Sequence, residues 1–169
     1  TGNHNTGVGI HTLSANTTGG DNVAVGDYAL YNNTTASNNT AVGSDALIAN
    51  TTGYNNTAMG STSLAANTTG VNNNAFGASA LLTNTTGSFN TAMGHGALNA
   101  NTTASNNTGI GYFALIANTT GSENTAVGKA MTSTTTGGSN VGVGFAALNF
   151  NTTGTFNVAI GRDSLKANT

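Results

Sequence analysis

The chain has no cysteine, no proline and no tryptophan, and its 169 residues include only three Lys/Arg and five Asp/Glu. Without cysteine there is no disulfide, no thiolate metal site and no cysteine nucleophile. With no proline and so little charge, it also lacks the composition by which disordered chains avoid packing. A net charge of −2 supplies no field to draw in nucleic acid or an anionic bilayer. No apolar run approaches the length of a membrane span, and no basic-then-apolar leader opens the sequence. Neither nucleic acid nor membrane insertion is therefore expected.

What the sequence does have is a repeat. A 17-residue unit recurs ten times, and its core, N-T-A-V-G-x-x-A-L-x-A-N-T-T-G, stands almost unaltered from Asn39 to Gly53. Glycine recurs at Gly9, Gly26, Gly43, Gly60, Gly77, Gly94, Gly111, Gly128, Gly144 and Gly161, always 17 apart except for the step from Gly128 to Gly144. A period this short suits one coil of a β-solenoid, in which each coil covers its inner face only by stacking on the next. The fold class predicted is all-β, a parallel solenoid with one unit per coil and about ten coils. Residues 1–169 read as a single array that starts and stops mid-unit, without caps, as a piece of a longer fibre would.

Within a unit the residues predict two short strands, Asn-Thr-Ala-Val and Ala-Leu-x-Ala-Asn. A Gly-x-x corner joins them and Thr-Thr-Gly-x-x closes the coil. The unit Gly128-Lys129-Ala130-Met131 has lost one of the two variable corner residues, which is tolerable at an exposed turn. The invariant glycine predicts positive φ or close backbone approach. The second glycine file admits Ala36 and Ala104, so no positive φ is expected there.

Strand alternation sorts these files into faces. The Ala24 file is alanine or glycine throughout and the Leu30 file is nearly constant. The next file varies in bulk: Val25, Val42, Met59, Phe76, Met93, Ile110, Val127, Val143 and Ile160, with Val8 at its start. A tightly stacked interior has fixed room, and overpacking it costs roughly 1–3 kcal/mol per misfit. Constant size therefore favours Ala and Leu inside and the variable file outside, over the converse arrangement in a solitary tube. At about 4.8 Å per coil the outer stripe runs about 45 Å, too long an apolar strip to leave in water. Self-association about an axis parallel to it, with three chains closing the ring, is the expected partnership.

Asn22, Asn39, Asn56, Asn73, Asn90, Asn107, Asn124, Asn140 and Asn157 form a second constant file, read as a structural ladder in which each side-chain amide bonds the next. Asn33, Asn50 and their equivalents open the closing corner, where an Asx side chain can satisfy turn amides. Their Asn-Thr-Thr sequence also matches a glycosylation sequon, nearly automatically in a repeat that demands both residues. Regular threonines raise an ice-binding alternative. Against it, paired threonines such as Thr51-Thr52 point to opposite sides, and the strand file that holds Thr40, Thr57, Thr91, Thr108 and Thr125 carries Val23, Asn74, Val141 and Val158 at its other places.

Chemistry is sparse. The acids Asp21, Asp27, Asp45, Glu123 and Asp163 do not recur with the period, so no carboxylate pair for acid–base work and no calcium-binding nonapeptide emerges. His4, His11 and His95 share no file, and serine has no His and Asp in register. No catalytic residue, metal ligand or cofactor is assigned, and an enzyme is not expected. Exposed aromatics at variable corners, Tyr28, Tyr54, Phe89, Tyr112 and Phe156, are candidate contacts for a glycan or protein receptor, although such residues more commonly cover the coil edge.

The segments Asn-Thr-Ala-Val-Gly-x-x-Ala at 39–46, Asn-Thr-Ala-Met-Gly at 56–60 and 90–94, and Asn-Val-Ala-Ile-Gly at 157–161 resemble the head repeats of trimeric autotransporter adhesins. The longer form with Ala-Leu-x-x-Asn-Thr-Thr-Gly is similar to repeats of phage tail-fibre-like and bacterial surface fibre proteins. The resemblance covers the whole chain. It implies a homotrimeric, left-handed β-roll used as the shaft or head of an adhesive fibre, extracellular on a cell surface or on a virion tail. The adhesin unit is shorter, and Leu-x-x-Asn-Thr-Thr stands here in place of its second small-residue strand.

Overall fold

The computed structural model describes residues 2–168 as a single parallel β-solenoid. Ten strands follow one another: β1 (Thr6–Val8), β2 (Val23–Val25), β3 (Thr40–Val42), β4 (Thr57–Met59), β5 (Asn74–Phe76), β6 (Thr91–Met93), β7 (Thr108–Ile110), β8 (Thr125–Val127), β9 (Val141–Val143) and β10 (Val158–Ile160). They pair in chain order into one sheet. Register is strict, so Val25 lies on Val42, Ala41 on Ala58 and Met59 on Phe76. The coil is therefore one repeat long, and each file of the sequence is a file in space.

Only one strand forms per coil, not the two expected. The Ala-Leu-x-Ala-Asn segment is instead a chain of overlapping β-turns. In the second coil Ala29 N–H donates to Gly26 C=O (3.3 Å), Tyr31 to Tyr28 (3.1 Å) and Asn33 to Leu30 (3.1 Å). The third residues of the first two turns, Tyr28 and Leu30, have φ of 57° and 52°, as type II turns require. The same file of leucines is left-handed in every coil, from Leu13 to Leu165, with Met131 taking its place once.

The reason is packing. Ala29 and Leu30 are neighbours in sequence, and both are 0% exposed. A strand would send one of them outward; a left-handed residue lets both face in. Holding a bulky side chain at positive φ costs on the order of 1–3 kcal/mol. Full burial of the leucine returns about 1.5–3 kcal/mol, and its N–H bonds the next coil, as Leu30 does to Ala46 C=O at 3.0 Å. The turns are thus a ladder too, tied coil to coil.

The core is a narrow strip of Ala24-type, Ala29-type and Leu30-type residues, 0–1% exposed from Ala24 to Ala159, with Leu13 half-buried and Leu165 exposed in the end coils. Ala and Leu are inside, and the variable stripe is outside. The invariant glycine meets both of its expected demands. Gly94 has φ 133°, and a Cβ there would lie 2.5 Å from Gly111 O. The second glycine file keeps negative or extended φ, as Ala36 and Ala104 imply. An ideal Cβ on Gly53 would stand 2.3 Å from Gly70 O, but the alanines present elsewhere in this file show that the backbone yields there.

The shortened coil drops the left-handed residue that elsewhere follows the first corner position. Ala146 N–H still donates to Lys129 C=O at 2.9 Å, and Met131 keeps φ at 53°, so the register recovers within a few residues.

Two substitutions separate the glycine files. Gly94→Ala is expected to destabilise the array by at least about 2 kcal/mol, because alanine there is strained as well as crowded. Gly53→Ala is expected to stay within about 1 kcal/mol of the parent. Urea unfolding followed by circular dichroism measures both.

Candidate interaction surfaces and the buried asparagine clamp

The two asparagine files are interior: Asn39 and Asn50, like most of their counterparts, are 0% exposed. They converge on one backbone carbonyl. Asn39 Nδ2 donates to Gly53 C=O at 2.9 Å and Asn50 Nδ2 donates to the same oxygen at 2.8 Å. Asn56 and Asn67 do so at Gly70, and Asn90 and Asn101 at Ala104. From Gly19 to Gly154 each closure carbonyl is held by two amides, one from each end of the coil, except that of Gly137, which Asn124 alone reaches because Thr134 takes the other asparagine place.

The ladders differ from the expected pattern. In the Asn22 file the side-chain oxygen mainly accepts the backbone N–H of the next asparagine, as Asn39 Oδ1 does from Asn56 (2.9 Å). Direct amide-to-amide bonding occurs there only at some steps, such as Asn90 to Asn73 (3.2 Å). A continuous amide-to-amide ladder lies in the other file from Asn16 to Asn118, where Asn50 Nδ2 donates to Asn33 Oδ1 and Asn67 to Asn50, at 3.0 and 2.9 Å. Those side chains bond a carbonyl and one another; they do not cap turn amides. Because the Asn-Thr-Thr asparagines are buried and bonded, the folded coil keeps their amide nitrogens from a glycosylating enzyme.

One coil breaks this ladder. Thr134 takes the asparagine place, and among the described residues the two buried side-chain atoms left without a partner are Asn118 Oδ1 and Thr134 Oγ1, in adjacent coils of the same file. The hydroxyl is too short to reach where a carboxamide would.

Outside, the Val25–Ile160 stripe faces solvent in the single chain. Met59, Phe76, Met93 and Ile110 are 36–44% exposed, and Val25, Val42, Val127 and Val143 are half-buried. The strand residues two positions earlier, such as Thr40 and Thr57, share that face and edge the stripe with hydroxyls.

The closing corner carries two threonine files of different character. Hydroxyls of the first are consumed: Thr51 Oγ1 donates to Thr68 C=O at 3.0 Å and Thr68 to Thr85 at 3.0 Å. The second runs Thr18, Thr35, Thr52, Thr69, Thr86, Thr103, Thr120, Thr136 and Thr153, unbroken and exposed at every coil. Among the described residues none of its hydroxyls bonds the protein. Sequence reasoning weighed the paired threonines together and did not separate this file from its bonded neighbour, although its lack of any exception was the available signal.

Tyr28, Tyr54, Phe89, Tyr112 and Phe156 are all exposed, and the fold does not bring them together. Tyr28 lies against His11 and Tyr31, with centroids 5.1 and 5.4 Å away. Tyr112 stacks on His95 at 5.8 Å and 18°, with Phe113 at 4.0 Å. Arg162 sits 5.4 Å over the Phe145 ring. His4 pairs with Asp21 at 3.2 Å on the surface. Asp27 and Asp45 form no carboxylate pair; Asp27 accepts from Ile10 N–H and Asp45 from Ser44. Asp163 is held below the usual carboxylate range by its bond to Lys166 (2.9 Å), then by the charges of Lys166 and Arg162. Among the described residues no three His, Asp or Glu side chains gather, and no pocket opens.

No family model, curated protein or solved structure matches the chain.

Thr134→Asn should raise stability by roughly 1–3 kcal/mol, since it supplies a donor to Asn118 Oδ1 and removes the orphaned hydroxyl. A higher midpoint in thermal or urea unfolding is the expected result.

Proposed function

We propose that this array is a structural and adhesive fibre segment, a homotrimer of left-handed solenoids sealed along the Val25–Ile160 stripe. In this reading it serves as shaft or head of an extracellular cell-surface or virion-tail fibre and carries out no reaction. The observation that supports it is the stripe itself. A file of large apolar side chains runs the length of a rigid sheet on its outer face, while the interior is already filled by Ala, Leu and Asn. Covering such a row gains roughly 1.5–3 kcal/mol per fully buried side chain, and monomers seldom leave so long a patch open. A closed cyclic assembly treats all chains alike and hides the row along its axis. Rigid reach and three copies of every outer corner then provide multivalent attachment to a surface.

Phe76→Asp is expected to dissociate the assembly while the coil persists. Light scattering coupled to size exclusion reads the mass, and circular dichroism reads the fold. A parent chain that runs as a stable monomer at micromolar concentration would remove the trimer.

One observation favours a second reading, an ice-binding solenoid. The Thr18–Thr153 file presents an unbroken row of stiff, β-branched, uncharged side chains with free hydroxyls. A freezing assay decides between the two. The fibre reading predicts no thermal hysteresis at millimolar protein. Hysteresis that disappears in Thr86→Lys would instead make that row the functional face.

A further inference from the structure

The residue directly after the invariant glycine changes character along the fibre. In the first half this file reads Ile10, Asp27, Ser44, Ser61 and Ala78; in the second it reads His95, Tyr112, Lys129, Phe145 and Arg162. Two of the three cations in the chain stand in this one file, interleaved with aromatic rings. All five residues of the second half are exposed.

Backbone bonds hold them in register. Phe113 N–H donates to His95 C=O at 3.1 Å, Ala146 to Lys129 at 2.9 Å and Asp163 to Phe145 at 2.9 Å. These are the same bonds that link this file elsewhere; the shortened coil lacks the residue after Lys129, so among the described residues no such bond reaches Tyr112 C=O, and Lys129 keeps its place in the file through the bond from Ala146. The rings are already ordered by the His95–Tyr112 stack and the Arg162–Phe145 contact.

We infer that this file, from His95 to Arg162, is a binding strip for an extended anionic polysaccharide. At about 4.8 Å per coil it spans roughly 19 Å in a single line, the form of a linear glycan. Beside these contacts the exposed parts of the Tyr112 and Phe145 rings offer apolar surface to the C–H groups of pyranoses. The alternating cations donate charge-assisted hydrogen bonds to carboxylates. Asp163 lies 3.4 Å from Arg162 Nε, so the terminal nitrogens of the guanidinium remain for the ligand.

The same features disfavour other macromolecules. Nucleic-acid binders neutralise many phosphates, and two cations on a chain of net charge −2 do not. Anionic bilayers call for a polybasic cluster. A protein partner would want an apolar centre, which a one-residue-wide line lacks. The inference supplies a receptor class for the attachment reading and rests on it for its biological setting.

Per-chain affinity for a short oligogalacturonate, measured by calorimetry, tests it without avidity. The parent should bind, the methyl-esterified oligomer should bind at least about tenfold more weakly, and added salt should weaken binding. Tyr112→Ala should lose roughly threefold to tenfold, Lys129→Ala a similar factor, and Ser61→Ala nothing. Circular dichroism confirms that each variant is folded. No binding, equal binding by all variants, or tighter binding of an oligothymidylate or of phosphatidylserine vesicles would overturn the strip. A parent chain that runs as a monomer but still binds through Tyr112 would leave the strip standing while ending the trimeric fibre.

Discussion

The structure depends on one buried carbonyl per coil. At the closure of each turn the backbone exposes an oxygen to the interior, where water cannot reach it. An unpartnered buried acceptor costs about 1–3 kcal/mol. Two asparagines satisfy it, one lying three residues upstream and the other fourteen, as Asn50 and Asn39 do at Gly53. A chain that must return to the same point fourteen residues after leaving it has its coil length set by that contact. The single shortened coil keeps the bond at a separation of thirteen, from Asn124 to Gly137 at 2.8 Å. Variation in length is thus pushed to the far corner, where nothing polar is buried.

Given that closure, the rest of the cross-section has little freedom. The interior has room for Ala, Leu and carboxamides, and the wall must bend tightly enough to enclose them. Left-handed residues do the bending: Gly26 at 124°, Tyr28 at 57°, Leu30 at 52° and Asp21 at 56° in one coil. Each is unfavourable alone and persists because every coil repeats it against a neighbour with the same shape. Stability here is a sum over interfaces between coils, so a misfit such as Thr134 is felt by the coil on its side and leaves the array intact.

The period, the parallel register and the inward Ala and Leu were legible because stacking turns columns of sequence into columns of space. The second strand was not. Ala29 and Leu30 are adjacent and both constant in size, which already conflicts with strand alternation; only turns with positive φ reconcile them. The bonding partner within the Asn22-file ladder has a similar cause. Invariant Asn marks burial and bonding, but whether its oxygen meets a side-chain amide or a backbone N–H depends on an offset of an ångström that composition does not encode. The exposed Thr18–Thr153 file and the His95–Arg162 file were missed for opposite reasons. One was too regular to be separated from its bonded neighbour, and the other is visible only when a variable column is followed down the fibre.

That last point joins fold to function. In a globular domain a new binding surface must coexist with the packing beneath it. Here glycine with positive φ turns the wall just before the corner residue, whose exposed side chain points away from the core and touches only its own file and the adjoining corner file. Replacing serine by tyrosine or lysine at that corner therefore disturbs neither the carbonyl clamp nor the leucine row. The outer stripe is freer than the core for the same reason, as its drift from valine to phenylalanine records. A scaffold fixed by its interior can carry an assembly seam on one face and a recognition strip at the adjoining corner, each changing without the other.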